Sequence, residues 1–500
     1  MATPETRWRV CFVPEKLAVR QDQLLQRAFN SEPDSEVQLK RPQRPFLVDH
    51  RGELHDAVNR FFAGAKMRNL SWDTNRRYSY SMALLMNFLE HSGKSWDEAS
   101  EVDLADFKFW RLTDGRNPRR ISGKAWMTDL AAITAFYRFA SRVLGAIPIP
   151  ELLAAPGVRG TAWNRAAHLA DFRASVVRRN DVKWLSPRAY VRWRNLGIHG
   201  ISEDGHERTR WRPRTQSRDA AFVDGLYGGG LRLHEWSSVL MSELDRRAGG
   251  GRYTAFRLAD ACGKRGRGRS YWLERNVLQS IAIYRDTERA RAVRMAQAAG
   301  RYDKLPDKLI VENASESGVL KIRRPGLASP MTMRLNELRP SERLKLFVHE
   351  PEGLQPAMLW LNENGLPRPK KAWYKAFDRA NTRVEKAGVD RLECHPHMLR
   401  HSFALRWYAV GRMVWSSRFN GHDDEYRQDF REQFGDTWSL VQTLLGHADV
   451  STTRDIYLEP FRHLEARLLL EHGKAALNAE SLSALLAEDP RVRLMEDEVI

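Results

Sequence analysis

Apolar residues recur near helical spacing at Trp72, Tyr78, Met82, Leu85 and Leu89. This predicts a helix with Asp73 or Thr74 as its N-cap. A break at Gly93 precedes a second helix over 102–112. A third starts after Ser122, with Trp126, Leu130, Ile133, Phe136 and Phe139 as its apolar stripe. Such stripes form a core, so residues 55–148 read as a small all-helical bundle with arginines and lysines on its outer face. Residues 1–54 mix charges and prolines without a long periodic stretch, and read as an irregular arm.

Ile147-Pro148-Ile149-Pro150 marks a boundary, after which 149–182 reads as a basic linker. The basic character runs on to about 215, with Trp163, Trp184, Tyr190, Trp193 and Trp211 among the arginines. Two readings stand side by side: a solvated linker with one helix, or a strap whose aromatics pack the stems of phosphate-binding arginines. From 183 to 476 helical and extended patterns alternate. A helix over 219–226 stops at Gly228-Gly229-Gly230. Short strands over 253–257 and 270–274 flank the turn Gly263-Lys264-Arg265-Gly266-Arg267-Gly268-Arg269. Helices over 398–410 and 438–445 end at Gly411 and Gly446. A tail over 477–500 is acidic at its end.

Composition changes the picture in one direction. The 500 residues imply two or more domains, and 42% hydrophobic content is enough to bury real cores. Lys plus Arg number 81 against 63 Asp plus Glu, a net charge of +18. That surplus favours a polyanionic partner, nucleic acid, over a soluble protein that merely happens to be basic. Three cysteines without a Cys-x-x-Cys pair support neither a disulfide scaffold nor a thiolate zinc site. No apolar run is long enough for a bilayer, and the first residues carry no signal-peptide pattern, so a cytoplasmic, nucleoid-associated protein is expected.

Against that background two stretches stand out: His395-Pro396-His397-Met398-Leu399-Arg400-His401 and Leu445-Gly446-His447 followed by Thr452-Thr453 and Tyr457. Breaking a phosphodiester without a metal needs a nucleophile, cations for the pentavalent transition state, an acid for the leaving oxygen and a proton acceptor. Tyr457 is the candidate nucleophile. His397 and Arg400, three apart, share a helical face, and the Arg400 guanidinium offers a planar fork suited to phosphate. His401 reads as structural. His397 and His401 have zincin spacing, but Met398 stands where that motif needs Glu, so no metal is expected. Arg232 follows the triple glycine and opens a helix, and Glu235 can brace a basic neighbour. Lys264, in a glycine-rich turn, can reach a leaving oxygen. Arg265, Arg267 and Arg269 offer phosphate contacts only, since arginine is a poor proton donor; Arg178 and Arg179 are further candidates for DNA contact.

Taken together, these residues resemble the tyrosine recombinase (phage integrase) family. Arg232 and Glu235, preceded by Arg218-Asp219 and Leu226-Tyr227-Gly228, match its first arginine motif. Gly263-Lys264 is similar to its hairpin lysine, His397 to His401 to its second box, Leu445-Gly446-His447 to its third, and Thr452-Thr453 with Tyr457 to its nucleophile segment. The unit at 55–148 is similar to the family's core-binding domain. The resemblance implies a mostly α fold with a small antiparallel β-sheet: a helical DNA-clamp domain plus a mixed α/β catalytic domain over 183–476. That domain would carry insertions near 286–350 and 412–436; the second must loop out if Arg400 and His447, 47 positions apart, are to meet.

The resemblance also implies a reaction. Tyr457 would form a 3′-phosphotyrosyl bond, Arg232 and Arg400 would hold the phosphate, Lys264 would act as general acid, and His397 and His447 would assist. Neither cofactor, metal nor ATP would be needed. A homo-tetramer would form on two stretches of double-stranded DNA from a monomer or weak oligomer, with accessory DNA-bending or partner recombinase proteins as further partners, in the service of a mobile genetic element. Two other readings fit the same residues. One is a type IB topoisomerase- or telomere-resolvase-like enzyme. The other is an inactive DNA-binding relative, against which the presence of all six polar site residues weighs.

Overall fold

In the computed structural model the described residues are 8–13, 44–49, 51–146, 149, 172, 182–207, 211, 213–244, 251–325, 329–419, 437–445 and 492–494. The chain forms two units, Met1–Arg179 and Asn180–Ile500.

In the first unit, β1 (Arg9–Phe12) pairs antiparallel with β2 (Pro45–Val48). This corrects the irregular arm expected for the N-terminus. The ribbon is fastened to the bundle: the Trp8 amide donates to Asn87 Oδ1 at 2.7 Å, and Leu47 is fully buried. Strands of four residues, so far apart in sequence, leave no periodic signal to read.

Helices α1 (Asp56–Ala63), α2 (Trp72–His91), α3 (Glu101–Leu112) and α4 (Gly123–Phe139) follow. The N-cap of α2 is Ser71, not Asp73 or Thr74: its hydroxyl accepts the Thr74 amide at 3.2 Å, and Asp73 sits in the first turn, where its charge suits the helix dipole. Met82, Leu85 and Leu89 of α2 and Trp126, Leu130, Ile133 and Phe136 of α4 reach the core, as their spacing predicts. Each such buried side chain contributes about 1.5–3 kcal/mol. Within this core Asp129 accepts two hydrogen bonds from Arg111, at 3.1 and 2.8 Å, and one from the Ser81 hydroxyl at 2.7 Å.

The second unit opens with β3 (Val182–Trp184) and α5 (Pro187–Arg194). Trp184, Tyr190 and Trp193 are buried, while Arg192 pairs with Glu203 and Arg194 with Asp224. This stretch is therefore folded core, not a strap of aromatics along a phosphate backbone. Next come α6 (Gln216–Gly229), the single turn α7 (Leu233–Trp236) and a hairpin of β4 (Tyr253–Leu258) and β5 (Arg269–Glu274). Helices α8 (Arg275–Tyr284) and α9 (Ala290–Ala298) lead to a sheet of β6 (Leu309–Ala314), β7 (Val319–Arg323), β8 (Met331–Arg334), β9 (Leu346–Glu350) and β10 (Gly353–Pro356).

The strand order is β10-β9-β6-β7-β8, antiparallel except for the parallel pair β6 and β9. It has its own core of Leu320, Ile322, Leu338, Leu346, Phe347 and Met358. Most of the segment expected as an insertion is thus a folded α/β layer. Its far end returns to the main core, where the amide of Leu359 donates to the Val239 carbonyl at 3.1 Å.

Helix α10 (Lys370–Glu385), α11 (Pro396–Phe419), α12 (Thr437–Leu445) and β11 (Val492–Leu494), parallel to β3, complete the unit. Helix α11 runs through Gly411, which was expected to end it. Glycine ends a helix by taking a left-handed conformation, and inside one it costs only about 1 kcal/mol relative to alanine. Helix α6 packs against α8 and α11. Trp193, Phe222, Trp236, Trp360 and Trp373 fill the main core, with Phe222 and Trp373 stacked at 3.3 Å. No described helix is long and apolar enough to cross a membrane.

Candidate functional site

The site is assembled around the end of α6. Gly230 closes that helix in the left-handed region, φ 60°, and a Cβ there would overlap the ring of Phe403 on α11. A glycine is therefore required on both counts, and α11 can lie tight against the turn. That approach lets Arg400, 1% exposed, donate through Nη1 to the Gly230 carbonyl and through Nη2 to the Leu445 carbonyl at 2.8 Å. One guanidinium thus joins the glycine turn before Arg232 to the last residue of α12, where the chain enters Gly446-His447.

Arg232 is the N-cap of α7, and Glu235 sits in its first turn. Glu235 accepts the Arg232 amide at 2.8 Å and its Nη1 at 2.8 Å. From β5, Arg269 donates Nη1 and Nη2 to the two Glu235 oxygens, at 3.0 and 2.7 Å. Burial raises the carboxyl's pKa. The hydrogen bonds and charge of Arg269, with the charges of Arg400 and Arg232, outweigh this and hold it far below the ordinary carboxylate range. A wholly buried anion therefore lies among three guanidiniums. Arg232 is the more open of the two phosphate candidates, its side chain 18% exposed.

Arg269 was expected to meet phosphate. Instead its side chain is largely buried and its fork is occupied by Glu235. The signal was present: along a strand, alternate residues share a face, and Tyr271 and Leu273 are buried on the face that Arg269 takes.

The β4–β5 hairpin carries Lys264 on a short 3-10 turn, exposed, with Arg267 exposed nearby. Arg265 shares that turn, but its side chain lies outside the described residues. The loop is closed by Asp260, whose Oδ1 accepts the Gly268 amide at 2.8 Å. The Asn336 side chain donates to Asp260 Oδ2, and its oxygen accepts the Asp260 amide at 2.8 Å. These bonds, Asn336 first and Gly268 next, lower the pKa of Asp260.

On α11 His397 is exposed and His401 buried, their rings edge to face at 4.6 Å. The histidine next to Arg400 is thus an inward one. The structure brings together Arg232, Glu235, Arg269 and Arg400, with the approach to His447. His447, Tyr457, Arg178 and Arg179 lie outside the described residues. Sequence reasoning missed Arg269 as the partner of Glu235, and the Asp260–Asn336 contact. The latter had no local signal, because its members are 76 residues apart.

Comparison with known proteins adds the following. Residues 58–143 match the phage integrase, N-terminal SAM-like domain. The chain is 37% identical over 103 residues to tyrosine recombinase XerC of Azotobacter vinelandii, covering 20% of this chain and 26% of that protein. With XerC of Stutzerimonas stutzeri it shares 40% identity over 84 residues, 16% of this chain and 20% of that protein. The chain therefore spans about a quarter or less of the length of these relatives. Among solved structures, XerH site-specific recombinase bound to palindromic difH substrate aligns at TM-score 0.44 and 15% identity, over 83% of this chain and 85% of that one. The Tn1549 transposon integrase in complex with transposon right end DNA aligns at TM-score 0.43 and 15% identity, over 82% and 99%.

Proposed function

As the chain is a member of the tyrosine recombinase (phage integrase) family, we propose that it is a site-specific DNA recombinase that cuts and rejoins duplex DNA through a 3′-phosphotyrosyl intermediate, without metal or ATP. The observation that carries this reading is the pair of hydrogen bonds that Arg400 donates to the Gly230 and Leu445 carbonyls, which joins the turn before Arg232, the helix of Arg400 and the end of α12.

In this reading the scissile phosphate meets Arg232 first, since Arg400 is the more deeply buried. Glu235 keeps the Arg232 fork directed while Arg269 balances the charge on Glu235. Guanidiniums fixed before the reaction stabilise the pentavalent transition state without reorganising. Tyr457 attacks phosphorus, Lys264 protonates the departing 5′ oxygen, and His397 and His447 assist proton transfer. Attack by a partner strand's 5′ hydroxyl reverses the step and conserves the bond energy. A homo-tetramer on two duplexes, acting in the cytoplasm on a mobile element, completes the proposal. The basic excess of the chain supplies attraction to the polyanion.

The test is a nicked suicide duplex carrying the DNA junction beside the chain's own gene. Wild type should yield a covalent complex on a denaturing gel, with or without a chelator, and Tyr457→Phe should yield none. Absence of the complex with wild type would end the catalytic reading. Its persistence in Tyr457→Phe would move the nucleophile elsewhere.

A further inference from the structure

The Lys264 hairpin does not stand alone. Its loop is gripped by the turn after β8, which belongs to the sheet layer of residues 309–356. Asn336 makes the two-point contact to Asp260 described above, and Asp260 in turn closes the loop at Gly268. Beside it, the buried Cys262 thiol faces the carbonyl of Leu338 at 3.8 Å. A Cβ at Gly268 would overlap the Leu258 carbonyl and crowd Asp260, so the loop can close this tightly only with glycine there.

The gripping turn is itself fixed by Arg343, 1% exposed. Its guanidinium donates to the carbonyls of Leu335 at 3.1 Å and Leu338 at 3.0 Å. The same group donates to both Glu243 oxygens at 2.8 Å and to the Ser238 carbonyl at 3.1 Å. Ser238 lies two residues past α7, the turn that carries Arg232 and Glu235, and Glu243 ends the next short turn, Met241–Glu243. A continuous polar path therefore runs from the Arg232 turn through Arg343 and Asn336 to the loop of Lys264. Arg269 to Glu235 ties the loop's other end to the same turn.

We infer that Asn336 and Arg343 are positioning residues for the cleavage step: the turn 335–338 is a brace that fixes where the Lys264 loop presents its ammonium. The inference rests on the reading of Lys264 as the proton donor. Lysine is a flexible point charge, and this one stands between glycines on an exposed turn. Unbraced, the loop would spread the ammonium over many positions, few of them within reach of the leaving atom. In the step itself the Tyr457 phenol gives its proton to the histidines assigned above to proton transfer, His397 and His447, its oxygen bonds to phosphorus, and the bond to O5′ breaks. A proton of the Lys264 ammonium passes to the departing oxygen.

The experiment compares single-turnover cleavage of the suicide duplex with that of a duplex whose scissile O5′ is replaced by sulfur. A thiolate leaves without needing a proton, so loss or misplacement of the acid is forgiven on sulfur. Asn336 is exposed, and Asn336→Ala should fold and bind the duplex in a gel shift as wild type does. On the oxygen substrate it should be slower by about 10- to 100-fold, as a group displaced by about 1 Å would be. On the sulfur substrate it should fall within about twofold of wild type, because general-acid help is no longer required. Asn336→Asp, which sets a second carboxylate against Asp260, should show the same pattern. Lys264→Ala should show it more strongly.

If Asn336→Ala cleaves oxygen at the wild-type rate, or is equally slow on both substrates, the brace is overturned while rescue of Lys264→Ala leaves the acid in place. If sulfur fails to rescue Lys264→Ala, Lys264 is not the acid and the brace falls with it.

Discussion

Both terminal nitrogens of Arg269 donate to the carboxylate of Glu235, which has no solvent exposure. The pair ties the floor of the hairpin to the turn bearing Arg232. It also sets the carboxylate among the charges of Arg232, Arg269 and Arg400, all of which act on it.

Replacing that charge by an amide should be costly at neutral pH and less so in acid. Folded, Glu235 binds its proton more weakly than the ordinary value of 4.5 implies for the unfolded chain. Its contribution is therefore full above that value and is lost as pH falls below it. Glu235→Gln should lower stability at pH 7 by about 3–5 kcal/mol, the cost of leaving buried charges without their partner. It should also flatten the acid limb of the stability profile. Urea unfolding followed by tryptophan fluorescence at several pH values checks both. An unchanged acid limb would show that Glu235 does not titrate as described.

How much of this site could be read in the chain differs by residue, for physical reasons. Arg232 and Glu235 lie three apart on one helical turn, so their contact is local and follows from spacing. The β4–β5 hairpin was legible because two β-type runs flank a glycine-rich turn. Arg269 was misread because its charge outweighed its place in the pleat, although Tyr271 and Leu273 already marked the inward face. The parallel pairing of β6 with β9, and the grip of Asn336 on Asp260, join residues distant in sequence. Local periodicity carries no information about such partners. The continuation of α11 past Gly411 was missed because glycine stops a helix only where it turns left-handed, and Gly411 stays helical.

Arg400 should not be replaceable by lysine. A guanidinium can serve the Gly230 and Leu445 carbonyls together, whereas an ammonium is a single point charge without a planar fork. Each buried carbonyl left without its donor costs about 1–3 kcal/mol. Arg400→Lys should thus lower the thermal midpoint, and covalent-complex formation should drop by about 10²–10³, as loss of one transition-state contact does. Wild-type cleavage by Arg400→Lys would contradict the role of the fork in joining the motifs.

Gly230→Ala tests the close approach of α11. A residue with a Cβ in the left-handed region costs about 1–2 kcal/mol, and the overlap with Phe403 adds to that. In a Phe403→Leu background the added methyl has more room, so the second cost should shrink. A double-mutant cycle on unfolding free energies should therefore show a coupling of about 1 kcal/mol. Strict additivity would mean that the ring does not confine the turn.

The N-terminal unit offers an independent check on the packing, since its core holds a charged pair. Asp129 takes two bonds from Arg111, both side chains about nine-tenths buried, and a third from Ser81. Asp129→Ala strands the guanidinium among apolar side chains and should destabilise this unit by about 3–5 kcal/mol. Removing both charges is a different matter. Arg111→Met with Asp129→Leu fills similar space without leaving a charge unpaired, and should regain most of the loss. Hydrogen exchange reads the two cases by location. Amides of α2, α3 and α4 should lose protection in Asp129→Ala and recover it in the double variant, while those of α6 and α8 in the second unit stay unchanged. If the double variant is as unprotected as Asp129→Ala, the loss comes from the Ser81 bond between α2 and α4 and not from the stranded charge of Arg111.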